Sequence, residues 1–443
     1  MLKRLLKKIL PARWLTVYHA SLACLAAVYY RFPSRRLIVI GITGTKGKTS
    51  TANFVWSVLQ AGDQQTGLLS TANLRIGERE WLNPYHMTMP GRFEIQKQLA
   101  EMVRAGCHYA IIETTSEGLK QYRHLGVNYD IGIFTNLSPE HLQAHGGRFA
   151  NYQKMKGRMF STLAGPNKII GGQKIPKVII ANADSEHAAY FLHFPSDQKI
   201  SFSVERAADY QARDLTDRPS GVRFTLDGRP FELNILGQFN VPNALPAIIV
   251  GRLAGLADEQ IATGLSALKS IPGRMELISN PGQNFTVIVD YAHEKQSMSK
   301  LLAAAQSRRS SGAQIILLLG AEGGGRDQAK RAEMGTLAGR LADQVIVSNV
   351  DPYDDDPEPI LAEIAQAAEA AGKTRDQNLF VIADRRAGIA RAFALARAGD
   401  FVLITGKGAE QSMKIGGQTL PWDDRQVVRE ELAKLNQRAP KTT

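Results

Sequence analysis

The stretch "GITGTKGKTST", Gly41–Thr51, follows directly on the apolar run Leu37-Ile38-Val39-Ile40. An apolar run of this length reads as a buried strand, and the glycines after it allow tight backbone turns. Lysine, threonine and serine then open a helical pattern, so amide N–H groups converge at a helix start with a cation beside them. That is the physics of a phosphate-binding loop. The spacing departs from the usual one, in which four residues separate the first glycine from Gly-Lys-Ser/Thr. Ile42 holds that place, with Gly41 one residue early and Gly44 two late. Gly44, Thr45, Gly47, Lys48, Thr49 and Ser50 are the nucleotide-binding candidates, and the Thr49 hydroxyl is a candidate Mg²⁺ ligand. The competing reading is a glycine-rich turn with an incidental lysine.

Outward from this loop, short β-rich runs alternate with helical stretches. Strand candidates are "RLIVIGI", "YAIIETT", "YDIGIFTN" and "KVIIANAD", and later "FTVIVDYAH", "AQIILLLG", "DQVIVSNV", "NLFVIAD" and "DFVLITG". Continuous apolar runs between helices predict parallel sheets covered on both faces. Residues 198–235 read as short antiparallel strands, and a helical stretch follows from Asn240 to Leu268. The expectation is an α/β protein: a P-loop-type, parallel-sheet ATPase domain over 38–270, then a smaller Rossmann-like α/β domain over 271–443. The boundary falls near Ser270, in "SIPGR".

At 443 residues, with 44% hydrophobic and 22% charged residues, the chain is globular and long enough for two or three domains. Its two cysteines, Cys24 and Cys107, make neither a disulfide framework nor a thiolate zinc site, and the cytoplasm is expected. The net charge of +12 suggests nucleic acid until it is located. Lys3, Arg4, Lys7, Lys8, Arg13, Arg31, Arg35 and Arg36 all precede the loop, where no acid occurs. No nucleic-acid partner is therefore expected. Between Arg13 and Arg31 runs "WLTVYHASLACLAAVYY", aromatic near its ends and apolar in its middle. Residues 1–37 suit peripheral contact with an anionic membrane at its inner face. The competing reading is a helix packed on the protein's own core.

Other motifs recur in order behind the loop: "ETTSEGL", "FTNLSPEHLQAHG", "NYQKMKGRMF", "GQFNVPNALPA", "IPGRMELI", "DYAH", "GGGRDQAKRAEMG", "DPYDDDPEPI", "ITGKGAE" and "WDDRQVVRE". With "GTKGKTS" they make the chain resemble the Mur ligase family from about residue 38 to about residue 435. The likeness is greatest to the branch that adds the third peptide residue to the peptidoglycan precursor. The resemblance implies an ATP-dependent, ADP-forming ligase that joins an amino acid to a muramyl-peptide acceptor through an acyl phosphate. The chemistry needs such a route, because a free carboxylate repels a nucleophile and lacks a leaving group.

By resemblance, Lys48, Glu113, His141 and Lys156 are catalytic. Thr49, Glu113, His141 and Lys156 serve two Mg²⁺ sites, Lys156 as a carbamylated lysine. A carbamate forms on a neutral amine and presents a carboxylate on a long arm. Asn240, Asn243, Arg274, Asp290, Tyr291 and His293 are implied at the nucleotide. Thr115, Ser116, Arg123, Arg326, Asp351, Tyr353, Lys407 and Glu410 are implied at acceptor or amino acid. Lys330 and Arg331 are further cations for an acidic substrate, and Glu410 is a partner for the incoming α-ammonium. A monomer is expected.

Three departures bear on the substrate. The family's usual N-terminal UDP-sugar-binding domain has no counterpart ahead of the loop, which leaves a UDP-linked or a lipid-linked acceptor open. Enzymes choosing meso-diaminopimelate carry an arginine where this chain has Tyr353 in "DPYDDDP". A phenol cannot pair bidentately with a carboxylate, so diaminopimelate is disfavoured. Asp354, Asp355 and Asp356 could instead meet a distal ammonium, or form a solvated loop. Finally, Thr115-Ser116-Glu117 replaces Ser-Ser-His, and "DYAHEK" and "GKGAE" replace "DYAHTP" and "GKGHE". Two readings compete with the first: a folylpolyglutamate or poly-γ-glutamate type ligase, and a nucleotide-gated binding protein without ligase activity.

Overall fold

The computed structural model describes residues 12–85, 87–140, 142–325 and 328–438. Two compact units divide the chain: the first ends at Lys269, and the second runs from Ser270 and includes Ile235–Gly237. Each is built on its own sheet.

In the first unit the central strands are β1 (Ile38–Thr43), β5 (Tyr109–Glu113), β6 (Ile131–Phe134) and β7 (Val178–Asn182). Between β1 and β5 come β2 (Thr66–Leu69), β3 (Asn73–Ile76) and β4 (Arg79–Leu82). After β7 come β8 (Gln198–Ser203), β9 (Tyr210–Arg218), β10 (Gly221–Leu226) and β11 (Arg229–Leu233). They form one 11-stranded sheet in the order β11-β10-β9-β8-β7-β6-β1-β5-β2-β3-β4. Every residue of β5, β6 and β7 is buried, as the continuous apolar runs require for strands covered on both faces. The helices that concern the site are α1 (Ala12–Tyr29), α2 (Lys48–Ala61), α3 (Arg92–Arg104), α4 (Phe149–Ser161), α5 (Val241–Leu253) and α6 (Asp258–Ala267).

One expectation is corrected. Residues 198–235 are not all antiparallel: β8 pairs parallel with both β7 and β9, and only β9-β10-β11 run antiparallel. Alternating hydrophobicity reports which face is buried and carries no strand polarity. Polarity is set by the connection, here a crossover through the short helix Ala188–Leu192.

The lower end of this sheet holds a buried charge cluster. Asp130 Oδ1 accepts from Lys177 Nζ at 2.9 Å, and Oδ2 accepts from Lys168 Nζ at 2.5 Å and from the Val39 amide at 2.8 Å. Lys168 also donates to the carbonyls of Ser34 and Leu37, which ties the segment after α1 to the base of β1. Two ammonium groups thus depend on one carboxylate. Asp130→Asn is expected to destabilise the chain by about 3–5 kcal/mol, the cost of removing one partner of a buried pair. Urea denaturation of the variant beside the wild type measures it, and a shift inside about 1 kcal/mol would refute the cluster's role.

The second unit is smaller. Its strands are β12 (Glu276–Ile278), β13 (Thr286–Asp290), β14 (Ile315–Leu319), β15 (Gln344–Val347), β16 (Leu379–Val381) and β17 (Phe401–Thr405). The sheet order is β12-β13-β17-β14-β15-β16, with β12 alone antiparallel to its neighbour. A hairpin of β18 (Ser412–Ile415) and β19 (Gln418–Pro421) follows. The two units together make an α/β protein with a large parallel-dominated sheet and a smaller α/β unit after it.

Candidate functional site

In the first unit the chain leaves β1 at Thr43 and enters α2 at Lys48 through four residues. Gly44 has φ +152°, and a Cβ there would lie 2.0 Å from Thr135 Oγ1. Gly47 has φ +81°, and its Cβ would lie 2.2 Å from Asn243 Oδ1. Both places therefore need glycine, the second because α5 brings Asn243 against the turn. The loop is shaped from below by "FTN". Asn136 accepts from the Thr45 amide through its carbonyl at 2.8 Å and from the Lys46 amide through Oδ1 at 2.9 Å. Thr135 Oγ1 donates to the Lys46 carbonyl at 2.7 Å.

Glu113 ends β5 opposite Ile42 of β1, at the C-terminal edge of the parallel strands where ligands gather. Its Oε2 accepts from Thr49 Oγ1 at 3.0 Å, from the Thr71 amide at 2.8 Å and from Thr71 Oγ1 at 2.9 Å. Among the described residues Oε1 takes no hydrogen bond. Thr71 Oγ1 stands 2.8 Å from Thr88 Oγ1. Sequence reasoning missed both threonines. They come from the β2–β3 turn and from a loop, and no spacing links them to Glu113.

Lys156 lies on α4 and is 2% exposed. Its Nζ donates to the Gly44 carbonyl at 2.6 Å and sits 4.6 Å from the centre of the Tyr152 ring, whose hydroxyl is 3.2 Å from Thr45 Oγ1. Burial, and then the Lys48 charge, pull the Lys156 ammonium well below the ordinary lysine range, against the opposing pull of Glu140 and Glu113. Lys154, the other lysine of "KMK", is exposed. Lys48 Nζ donates to the Thr45 carbonyl at 2.9 Å, whereas Lys46 Nζ pairs with Glu140 at 3.0 Å. His141 lies outside the described residues.

Of the acceptor candidates, Thr115 caps the short helix Ser116–Lys120 by accepting from the Gly118 amide at 3.1 Å. Ser116 Oγ is 3.1 Å from Nε2 of buried His145, the second histidine of "EHLQAHG" and another residue sequence reasoning passed over. Arg123 donates to the Met89 carbonyl, and to Gln121 Oε1 at 2.8 Å. Asn240 and Asn243 bond to each other at 3.1 Å beside the Gly47 turn.

In the second unit the motif residues gather at the C-terminal edge of β13, β15 and β17. Lys407 is fully buried, and its Nζ donates to Asp351 Oδ2 at 2.8 Å and to Glu410 Oε2 at 2.7 Å. The Tyr291 hydroxyl donates to Glu410 Oε1 at 3.2 Å, and the Glu410 charge pushes the phenol well above the ordinary tyrosine range. Burial raises the Glu410 carboxyl, against the pull of Lys407. Asp290 accepts from the Met275 and Ala292 amides, both at 2.7 Å, and the Arg274 guanidinium lies 4.4 Å over the Tyr291 ring. His293 Nδ1 is 2.7 Å from the Tyr291 carbonyl.

Tyr353 adopts φ +58°, held by its amide on the Lys414 carbonyl at 3.0 Å, and Lys414 Nζ lies 5.6 Å from its ring centre. Within the acid run, Asp355 Oδ2 accepts from the Gly324 amide at 2.8 Å, and Asp356 caps the helix Pro357–Ala370. Two of the three acids thus serve the loop itself. Arg331 is buried on Glu363 and the Glu322 carbonyl, and Lys330 stands 3.8 Å from Glu322. Arg326 lies outside the described residues.

Comparison with known proteins identifies the family of both units. The Mur ligase middle domain matches residues 42–251, and the Mur ligase glutamate ligase domain matches residues 273–408. A UDP-N-acetylmuramyl-tripeptide synthetase of Roseiflexus sp. (strain RS-1) is 39% identical over 433 residues, 96% of this chain and 84% of that protein. A UDP-N-acetylmuramoyl-L-alanyl-D-glutamate--2,6-diaminopimelate ligase of Synechococcus elongatus is 38% identical over 414 residues, 92% of this chain and 79% of that one. A solved structure of a 2,6-diaminopimelate ligase superposes with a TM-score of 0.60 at 29% identity, covering 90% of this chain and 79% of its own. The Mycobacterium tuberculosis folylpolyglutamate synthase shares the fold at 18% identity, with a TM-score of 0.64 over 91% of this chain and 94% of its own.

Proposed function

The chain belongs to the Mur ligase family, and on that premise we propose that it is an ATP-dependent, ADP-forming ligase adding an amino acid to a muramyl-peptide acceptor in peptidoglycan synthesis. The observation that carries this reading is the convergence on one loop of Lys48 and Thr49 from α2, Glu113 from β5 and Lys156 from α4. A protein that only bound nucleotide would need no second metal site, which Glu113, His141 and Lys156 would supply.

The roles follow from the geometry. The first turn of α2 offers N–H groups with no partner inside the helix, and Lys48 adds a charge beside them. Together they would hold the nucleotide's phosphates while the terminal one passes to the acceptor carboxylate. Thr49 and Glu113, a hydroxyl and a carboxylate 3.0 Å apart, with Glu113 Oε1 taking no hydrogen bond from the described residues, fit a hard cation that takes oxygen ligands. Among the described residues no three His, Cys, Asp or Glu side chains cluster as a metal cage. Mg²⁺ keeps waters and shares substrate phosphates rather than filling a protein site. Bound there, it would neutralise charge developing on the transferred group. We read Lys156 as the carbamylated lysine and His141 as a further ligand. The lowered basicity of Lys156 favours the neutral amine that CO₂ requires.

In the second unit, Asp351 and Glu410 share the single ammonium of Lys407, and we assign this cluster, with Tyr353, to the incoming amino acid. Tyr353 leaves diaminopimelate without a bidentate partner for its distal carboxylate, and with Asp355 and Asp356 bonded within their own loop, exposed Asp354 is the acid of the run placed to meet a distal ammonium, as on lysine or ornithine. We assign the reaction to a single chain on the ATP-bearing side of the membrane, with the basic N-terminal segment as a peripheral membrane contact. No described helix is long and apolar enough to cross a membrane.

Oxygen-18 placed in the acceptor's carboxylate tests the reaction. Each turnover is expected to carry a labelled oxygen into inorganic phosphate. Product formed with unlabelled phosphate would exclude the acyl phosphate.

A further inference from the structure

Helix α1 turns the usual arrangement of an amphipathic helix around. Its buried residues are the small ones, Ala23, Ala26 and Ala27, and Ala27 packs so closely that a Cβ on Gly126 would come within 2.4 Å of its methyl carbon. The large apolar residues face away: Trp14 is 64% exposed, Leu25 56% and Tyr29 71%, with Val17, Tyr18 and Val28 exposed beside them. At 3.6 residues per turn, positions 14, 17, 18, 21, 25, 28 and 29 fall within an arc of about 120°. Ser21 is the one polar residue among them. The three alanines fall on the opposite side. The stripe runs the length of an 18-residue helix, about 27 Å, and Phe93 of α3 extends it, 6.3 Å from the Tyr29 ring.

A continuous bulky apolar face of this size on a protein surface marks a place where something docks. We infer that the outer face of α1 lies in the interface of an anionic lipid membrane, parallel to its surface. This rests on the peripheral-contact reading above and names the surface that makes the contact. Charge identifies the occupant. Arg31, Arg35 and Arg36 are exposed just beyond the helix's C-terminal end, and Lys3, Arg4, Lys7, Lys8 and Arg13 precede or open it. No acid occurs in the chain before Asp63. Aromatic residues near both ends of an apolar stripe, with cations flanking them, match a lipid interface with anionic headgroups. A second copy of this chain would bring the same cations against one another. A spanning helix would have to bury the alanine face in lipid, and that face is already packed on protein.

The full-length protein is floated with vesicles of phosphatidylcholine alone and with phosphatidylglycerol added, at low and high salt. A variant carrying Trp14→Ser, Leu25→Ser and Tyr29→Ser is run beside it. Wild type is expected to rise with the anionic vesicles and much less with neutral ones, more weakly in high salt. The triple variant is expected to bind at least about tenfold less. Its thermal midpoint and ADP release report whether it is folded, since none of the three residues touches the ligase site. Wild type staying at the bottom with both vesicles overturns the inference and the peripheral-contact reading together. Equal flotation of a folded triple variant overturns the assignment to this face alone, leaving the contact to the basic residues. A dimer by light scattering that becomes a monomer in the triple variant, without vesicle binding, assigns the face to a second copy and overturns the lipid reading.

Discussion

Lys156→Ala is expected to lower turnover at least about a hundredfold, the scale on which deletion of a single preorganised charge-stabilising group is felt. Added acetate or formate is expected to restore part of the loss. The reasoning starts from packing. Lys156 is buried between the Tyr152 ring and the Gly44 carbonyl, so truncation opens a slot under the phosphate loop. If the working group is the ammonium, a short amine such as methylamine should refill the slot and recover activity. If it is the carbamate, the missing piece is a carboxylate, and acetate should do so while methylamine does not. The two probes thus give opposite answers. ¹³C-labelled CO₂ adds a readout independent of activity. A carbamate resonance is expected in wild type and in Lys154→Ala, whose side chain is exposed, and its absence in Lys156→Ala. Rescue by the amine, or a resonance that survives Lys156→Ala, would sink the assignment.

How far the sequence foretold this site depends on what kind of information each residue carries. The parallel strands were plain because β5, β6 and β7 are buried throughout and carry continuous apolar runs, broken only by Glu113 and Asn182 at the ends of β5 and β7, as strands covered on both faces do. The strands β2, β3 and β4 were missed. They are four residues each, and Asn73, Arg75 and Glu80 within them bond to one another, so composition alone reads as loop. Lys48, Thr49 and Glu113 were legible because a strand end, a glycine turn and a helix start leave local marks. Thr71 and Thr88 were not, since only the folded sheet brings the β2–β3 turn to Glu113. Tyr353 shows the limit most sharply. Its substitution for an arginine was visible, but nothing in a tyrosine announces a left-handed backbone, and that conformation decides where its ring points. The acid run was legible as charge and illegible as structure, because capping and loop closure are fixed by neighbours such as Gly324 and Glu358.

The loop carries two lysines with Gly47 between them, and they are expected to behave differently. Lys48→Ala should cost at least about a hundredfold in turnover, whereas Lys46→Ala should stay within about tenfold. Lys48 is the first residue of α2, and its Nζ folds back onto the Thr45 carbonyl at 2.9 Å, at the helix start that we assign to the nucleotide's phosphates. Removing it leaves the helix start to face several negative charges with N–H dipoles alone, and the deficit grows as the terminal phosphate moves. Lys46 is turned the other way and is paired with Glu140 at 3.0 Å on a partly exposed flank. Its loss removes one partner of a carboxylate that water can still reach, so the penalty stays small. Lys48→Arg should not restore the rate, because a planar guanidinium cannot occupy the place of a compact ammonium inside this turn. Steady-state ADP release, with turnover number and KM for ATP resolved separately, decides the matter. A larger loss for Lys46→Ala than for Lys48→Ala would reverse the two roles. The ion pair with Glu140 would then be the element that orders the loop, and the ammonium of Lys48 a bystander to it.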